Sequence, residues 1–276
     1  MKITVAVENT VDSQIGRPLM AQHGLAMLLD IPDCGRILFD TSRSDVLLKN
    51  LLLLDIAPDS IDYTVLSHGH IDHSGGLLGF LQSRSMPLTV FAGPGIFSAR
   101  YVQYADGRMR FAGVPHTREN LTTEGAEFIF AYGPSQIKDN IWLSGPVPKV
   151  TDFETEGLNF IDANKQTDRF PDEIAVFVVQ PKGLVVLTGC SHRGIVNTIK
   201  YGQRVTGVEK VYAVIGGASL DRASDWQREG TVDFLSEIDP DIIALNHCTG
   251  MEMQSILRSV FGSKIINANT GDIIEL

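Results

Sequence analysis

Residues 64–76 read TVLSHGHIDHSGG, and no other stretch constrains the chain as strongly. Three of the seven histidines and one aspartate fall within the six positions from His68 to His73, directly after an apolar run. An apolar run closed by a glycine-rich turn reads as a buried strand feeding a loop and then a helix. In layered α/β proteins such strand ends are where ligands bind. Imidazole and carboxylate are suitable ligands for zinc, iron or manganese. Spaced as His-x-His-x-Asp-His, the four side chains cannot all point one way along an extended chain. A tight loop would turn His68 and His70 to one side and Asp72 and His73 to another, with Gly69, Gly75 and Gly76 supplying backbone freedom. The bland alternative is a set of solvated loop histidines. Clustering argues against it, because metal ligands come as grouped His and Asp.

Around this motif, short β-rich runs alternate with helix-like stretches. Strands are expected at 2–8, 25–31, 36–40, 63–67 and 88–93, with helices at 44–54 and 75–83. Further strands are expected at 158–162 (LNFID), 173–179, 184–189, 210–217, 241–247, 264–268 (KIINA) and 272–276. The pair 173–179 and 184–189 reads as a hairpin turning at Pro181–Gly183. Helices are expected at 195–205, 224–238 and 252–261. Residues 94–150 carry Gly and Pro punctuation and read as an irregular excursion over the surface. The segment YVQYADGRMRF within it offers aromatic and Arg side chains for a lid or a dimer contact. Two β-rich halves, each followed by helices, imply a layered α/β protein.

Composition narrows the function. A net charge of −10 argues against a nucleic-acid binder, since nothing resembles a basic stripe. No apolar run reaches the roughly 18 residues needed to span a bilayer. The N-terminus does not look like a signal peptide. Three widely separated cysteines, Cys34, Cys190 and Cys248, do not suggest a disulfide framework. The expected partner is a small-molecule substrate, with no nucleic acid and no membrane, and the expected location is the cytoplasm. The sequence is compatible with a homo-oligomer.

SHGHIDHSGG resembles the signature of the metallo-β-lactamase superfamily. LFDTS before it, and VVLTGCSHRGIVNT and ALNHCTG after it, stand in the order that family has. The last two stretches look more specifically like the subgroup similar to the methanopterin-pathway ribofuranosylaminobenzene phosphate synthase, most members of which are called metal-dependent hydrolases. The resemblance covers nearly the whole chain, so residues 1–276 are expected to form a single domain. It implies a four-layer αββα sandwich with a pair of divalent metal ions, zinc first and iron or manganese as alternatives. His68 and His70 would bind the first metal, Asp72 and His73 the second.

Three further ligands are expected. His247 follows an apolar run at a strand end and matches the family's last histidine, a ligand of the second metal. Cys190 stands where the family has a bridging aspartate. A thiolate binds zinc well, though a small buried thiol is the alternative reading. The family's histidine about twenty residues earlier is missing from TDRFPDEIAV, and His192 is its best replacement. Asp168, Asp172 and Glu173 are nearby carboxylates that could support ligands or touch substrate. The subgroup often carries Gly-Gly-Phe-His-Leu after the strand near 211–215. This chain has GGASL, with Ala218 and Ser219 where Phe and His would be, so its substrate is expected to differ. His23 reads either as a pocket border or as a structural histidine. His116 reads as exposed, Cys34 as incidental and Cys248 as packing inward.

Paired cations lower the pKa of a bound water and clamp a developing oxyanion. The resulting expectation is a metal-dependent hydrolase acting through a metal-bound hydroxide on a small, phosphorylated or heterocyclic substrate. Asp72 would act as the catalytic group. The rivals are a synthase acting on a phosphorylated pterin or aromatic substrate, iron-based redox chemistry, and a metal-dependent binder without turnover.

Overall fold

The computed structural model describes residues 1–11, 16–155 and 159–276. Leu158, the first residue of the expected LNFID strand, lies outside them. The chain divides into two compact units, Met1–Phe130 with Asn159–Asp168 and Ala268–Leu276, and Ala131–Leu158 with Arg169–Asn267.

The first unit holds β1 (Lys2–Val7), β2 (Ala26–Ile31), β3 (Gly35–Phe39), α1 (Val46–Leu53), β4 (Tyr63–Leu66), α2 (Ile71–Ser74), α3 (Leu77–Gln82) and β5 (Leu88–Ala92). It continues with β6 (Arg100–Gln103), β7 (Met109–Phe111), α4 (Arg118–Thr123), β8 (Ala126–Phe130), β11 (Phe160–Asp162) and β16 (Ile273–Glu275). Seven strands form one sheet in the order β16-β1-β2-β3-β4-β5-β8. Neighbours are antiparallel from β16 to β3 and parallel from β3 to β8. Parallel neighbours need a crossover, and α1 and the α2–α3 pair provide the first two. Leu47 and Leu51, four apart on α1, are fully buried with Leu77 and Phe80 against Leu28, Leu38, Leu66 and Val90 of the strands. Each such side chain contributes about 1.5–3 kcal/mol on leaving water. This packing fixes where β4 ends, and therefore where His68 begins. A second, three-stranded antiparallel sheet runs β11-β6-β7.

The second unit holds β9 (Ser135–Lys138), β10 (Ile141–Leu143), β12 (Val176–Gln180), β13 (Gly183–Thr188), α5 (Ile195–Thr206), β14 (Val211–Gly217), α6 (Asp225–Ile238), β15 (Ile242–Asn246) and α7 (Met251–Phe261). Its six-stranded sheet has the order β15-β14-β13-β12-β10-β9. The hairpin at Pro181–Gly183 is present, with Gln180 paired to Gly183. β13, β14 and β15 are parallel, connected by α5 and α6. Ser224 caps α6 by accepting the Gln227 N–H, and α5 stops at Gly207 in the left-handed conformation. Ile195, Ile199, Leu235, Met253 and Leu257 from the helices bury against Phe177, Val186, Val214 and Ile243.

Two stretches differ from the sequence reading. Residues 94–150 contain β6, β7, α4, β8, β9 and β10. Those strands are only three to five residues long, too short for a period to stand out, and β7 is exposed at every position. KIINA is not a strand. Its first residue closes a 3-10 turn, Gly262–Lys264, and Ile265 makes one isolated bridge to Ile243. The apolar pair Ile265–Ile266 reflects packing at the β15 edge and not a further ladder. Among the described residues no helix is long and apolar enough to cross a membrane.

Candidate functional site

In the first unit β4 delivers Ser67 and His68 at its carboxyl end, and His70 is the extended residue that starts the single turn α2. That turn folds His73 back toward His68. The His68 ring lies 4.6 Å from the His70 ring and 4.2 Å from the His73 ring. His73 thus packs beside His68, while its Nε2 faces the Asp72 carboxylate. His68 Nε2 and His70 Nδ1 are 3.1 Å apart, and Asp72 Oδ2 and His73 Nε2 are 3.9 Å apart. Nitrogen ligands at 2.0–2.1 Å on a tetrahedral zinc stand about 3.3 Å from each other. The donors thus fit cations in both chemistry and spacing.

The ring orientations are held from behind. Asp40 is fully buried and adopts a left-handed backbone (φ 61°) at the end of β3. Its carboxylate accepts the Ser67 N–H and hydroxyl, each at 2.7 Å, and lies 2.7 Å from His73 Nδ1. With Nδ1–H directed at Asp40, His73 keeps its Nε2 lone pair for a metal. Ser67 gives its proton to Asp40, so its oxygen is left to accept from His68 Nδ1 at 2.9 Å. Burial pushes the His70 pKa down to about 3, with Asp72 opposing and Arg100 adding to that shift. The imidazole is neutral, the form that donates a lone pair.

Beneath the loop, Arg100 is 1% exposed and donates to Asp168 at 2.6 Å. Gly69 makes room for it: a β-carbon there would lie 2.3 Å from an Arg100 guanidinium nitrogen and 2.2 Å from the Ile96 carbonyl. His70 stacks on Phe160, with centroids 4.4 Å apart. His23, whose role the sequence left open, places Nε2 3.2 Å from Asp72 Oδ2. His116 is half-buried.

In the second unit the contributions come from three adjacent strand ends. Cys190 follows β13, Gly217–Ser219 close β14, and His247 follows β15. The ligand atoms of Cys190, His247 and Cys248 all lie within 4.8 Å of one another. His192 is outside that group. Between Cys190 and His192, Ser191 is left-handed (φ 55°) and turns the backbone. His192 stacks flat on Phe170 at 3.9 Å. Glu173 holds the turn by accepting the His192 and Arg193 N–H groups, both at 2.7 Å. Burial pushes its carboxyl up to about 7 against those two donors. Asp172 is fully buried. Ser219 donates to the Cys190 carbonyl at 2.8 Å and lies 3.4 Å from His192 Nδ1, so the GGASL departure puts a small hydroxyl beside that carbonyl and imidazole.

Sequence reasoning missed Asp40, Ser67, Arg100, Phe160 and Phe170. Two had a signal: Asp40 in its place in LFDTS and Ser67 at the head of SHGHIDHSGG. The left-handed turn that aims it, and the stacking of Phe160 and Phe170, are not written in any local pattern.

Residues 21–203 match the metallo-beta-lactamase superfamily. The chain is 32% identical, over 94% of its length and 91% of the relative's, to a 7,8-dihydropterin-6-methyl-4-(beta-D-ribofuranosyl)-aminobenzene-5'-phosphate synthase of Methanocaldococcus jannaschii. It is 29% identical to an uncharacterised protein of the same organism, over 96% of this chain and 98% of that one. Among solved structures, a metal-dependent hydrolase of the beta-lactamase superfamily superposes with a TM-score of 0.85 at 28% identity, covering 100% and 99% of the two chains. Zn(2+)-bound PqqB from Methylobacterium extorquens shares the fold, with a TM-score of 0.60 at 13% identity over the full length of both chains. With its helix-flanked sheets and its motifs in family order, the chain belongs to the metallo-β-lactamase superfamily.

Proposed function

We propose that the whole chain, residues 1–276, acts as one metal-dependent hydrolase on a small-molecule substrate, phosphorylated or heterocyclic. Its ligands for two divalent ions, zinc first, are His68, His70, Asp72, His73, Cys190, His192 and His247. The observation that carries this reading is the pair of donor sets in one short loop, His68 with His70 at 3.1 Å and Asp72 with His73 at 3.9 Å. When bound, such ions supply Lewis acidity and an acidified water. The chain's own part is positional. Asp40 and Ser67 set the tautomers of His73 and His68. Asp72, with His23 beside it, orients the attacking water and takes up or returns the leaving-group proton. A net charge of −10 fits a small substrate held by cations better than a polyanion. We place the protein in the cytoplasm.

A second reading is a synthase that uses the same ions to bind a phosphorylated pterin or aromatic substrate. The 32% identity to the M. jannaschii synthase favours it. One experiment separates the two. Protein purified without chelator is analysed for metal and assayed on phosphodiesters and lactones with added zinc or manganese. The hydrolase reading expects two ions per chain and turnover that His70→Ala abolishes. Silence across the panel, together with a pterin or aromatic phosphate co-purifying, would sink it in favour of the synthase.

A further inference from the structure

Cys248 is adjacent in sequence to a proposed ligand, and along an extended strand adjacent side chains face opposite ways. Here they do not. His247 is left-handed (φ 51°), and the resulting turn brings the His247 ring and the Cys248 sulfur together at Cys190. Two further features make room for that sulfur and hold it. A β-carbon at Gly217 would stand 2.7 Å from Cys248 Sγ, so only glycine admits the sulfur at that depth. The Ser219 N–H donates to Cys248 Sγ at 3.2 Å, a contact that suits sulfur bearing negative charge. As a thiol, the same sulfur donates to the Cys190 carbonyl at 3.4 Å.

We propose that Cys248 is itself a metal ligand, and that Cys190, His247 and Cys248 form a thiolate-rich set within the second unit. Ligands on a tetrahedral zinc, with Zn–S near 2.3 Å and Zn–N near 2.0 Å, stand about 3.5–3.8 Å apart. Mutual distances within 4.8 Å bring the three donors to within about 1–1.3 Å of that spacing. Two thiolates and an imidazole select zinc, cobalt or another borderline or soft cation over manganese and magnesium. The inference rests on the metal-dependent reading above, adds a ligand to it, and specifies the class of cation.

The test is cobalt(II) loading of the full chain, read by the near-ultraviolet thiolate-to-cobalt charge-transfer band. The band is expected in the wild type, to fall by about half in Cys248→Ser and in Cys190→Ser, and to vanish in the double variant. A full band in Cys248→Ser, or none in cobalt-loaded wild type, would overturn the proposal. A check without substitution is iodoacetamide labelling of the wild type followed by mass spectrometry. Zinc is expected to slow Cys248 alkylation at least about tenfold, because a metal-bound sulfur is a poorer nucleophile. Equal rates with and without zinc would overturn the proposal as well. Wild-type protein with the full band but no hydrolysis of any substrate would support the thiolate site and sink the hydrolase reading alone.

Discussion

The two sets of donors are built in opposite ways. In the first unit four donors come from six consecutive residues, and one buried carboxylate, Asp40, holds the turn behind them. In the second unit the donors stand at the ends of adjacent strands, with Cys190 and Cys248 58 residues apart. A local cluster needs only one strand to end in the right place. A dispersed cluster needs three parallel strands in correct register, because Thr188, Gly216 and Leu245 must pair before the residues beyond them can meet. The first set is therefore sensitive to its single anchor. The second should share its tolerance among several smaller contacts.

Asp40→Ala is the sharpest probe of that difference. It leaves the Ser67 N–H, the Ser67 hydroxyl and His73 Nδ1 without their buried acceptor, at a cost of about 3 kcal/mol or more. We expect thermal unfolding to drop by about 10 °C and metal affinity by about 10–100-fold. A variant that melts and binds metal like the wild type would show that the loop holds itself.

Glu173→Ala is the matching substitution in the second unit. It removes the acceptor of two backbone donors, and we expect a loss of about 1–3 kcal/mol in urea unfolding. Cys190, His247 and Cys248 hang on other strand ends, so the cobalt–thiolate band should survive. Loss of that band would mean that the second set also depends on one anchor, and the contrast would fail.

The smallest effect concerns pH. Glu154 accepts the Val196 and Asn197 N–H groups at the start of α5, and burial raises its carboxyl above the ordinary 4.5. The folded chain therefore keeps this proton to a higher pH than the unfolded chain does. The stability it contributes is fullest below pH 4.5 and is lost as pH rises through the raised value. Urea midpoints at pH 4.5 and at neutrality should converge for Glu154→Gln relative to the wild type. An unchanged difference between the two pH values would refute this assignment.

Much of the fold was legible because its strands and helices carry strong apolar patterns. The hairpin at Pro181–Gly183 and the capped α6 are marked by their own turn and cap residues. Exposed three-residue strands such as β7 bury nothing that a pattern could show, so 94–150 read as irregular. KIINA failed for the converse reason: its isoleucines pack against an edge without joining a ladder. At the site, His68, His70, Asp72 and His73 were visible as a cluster, and Cys190 and His247 as polar residues at strand ends. Cys248 read only as a residue packing inward, because the left-handed His247 that turns its sulfur toward Cys190 leaves no local pattern.

Sequence alone determined the chemistry on offer: imidazoles, a carboxylate and thiols placed just beyond buried strands, in the order one superfamily uses. Tertiary structure decided how those groups are aimed. Asp40, Glu173, Phe160 and Phe170 act across tens of residues or through a single positive φ, and neither effect leaves a period in the sequence. Composition and periodicity report burial, which is a property of segments. The direction of a lone pair is a property of packing.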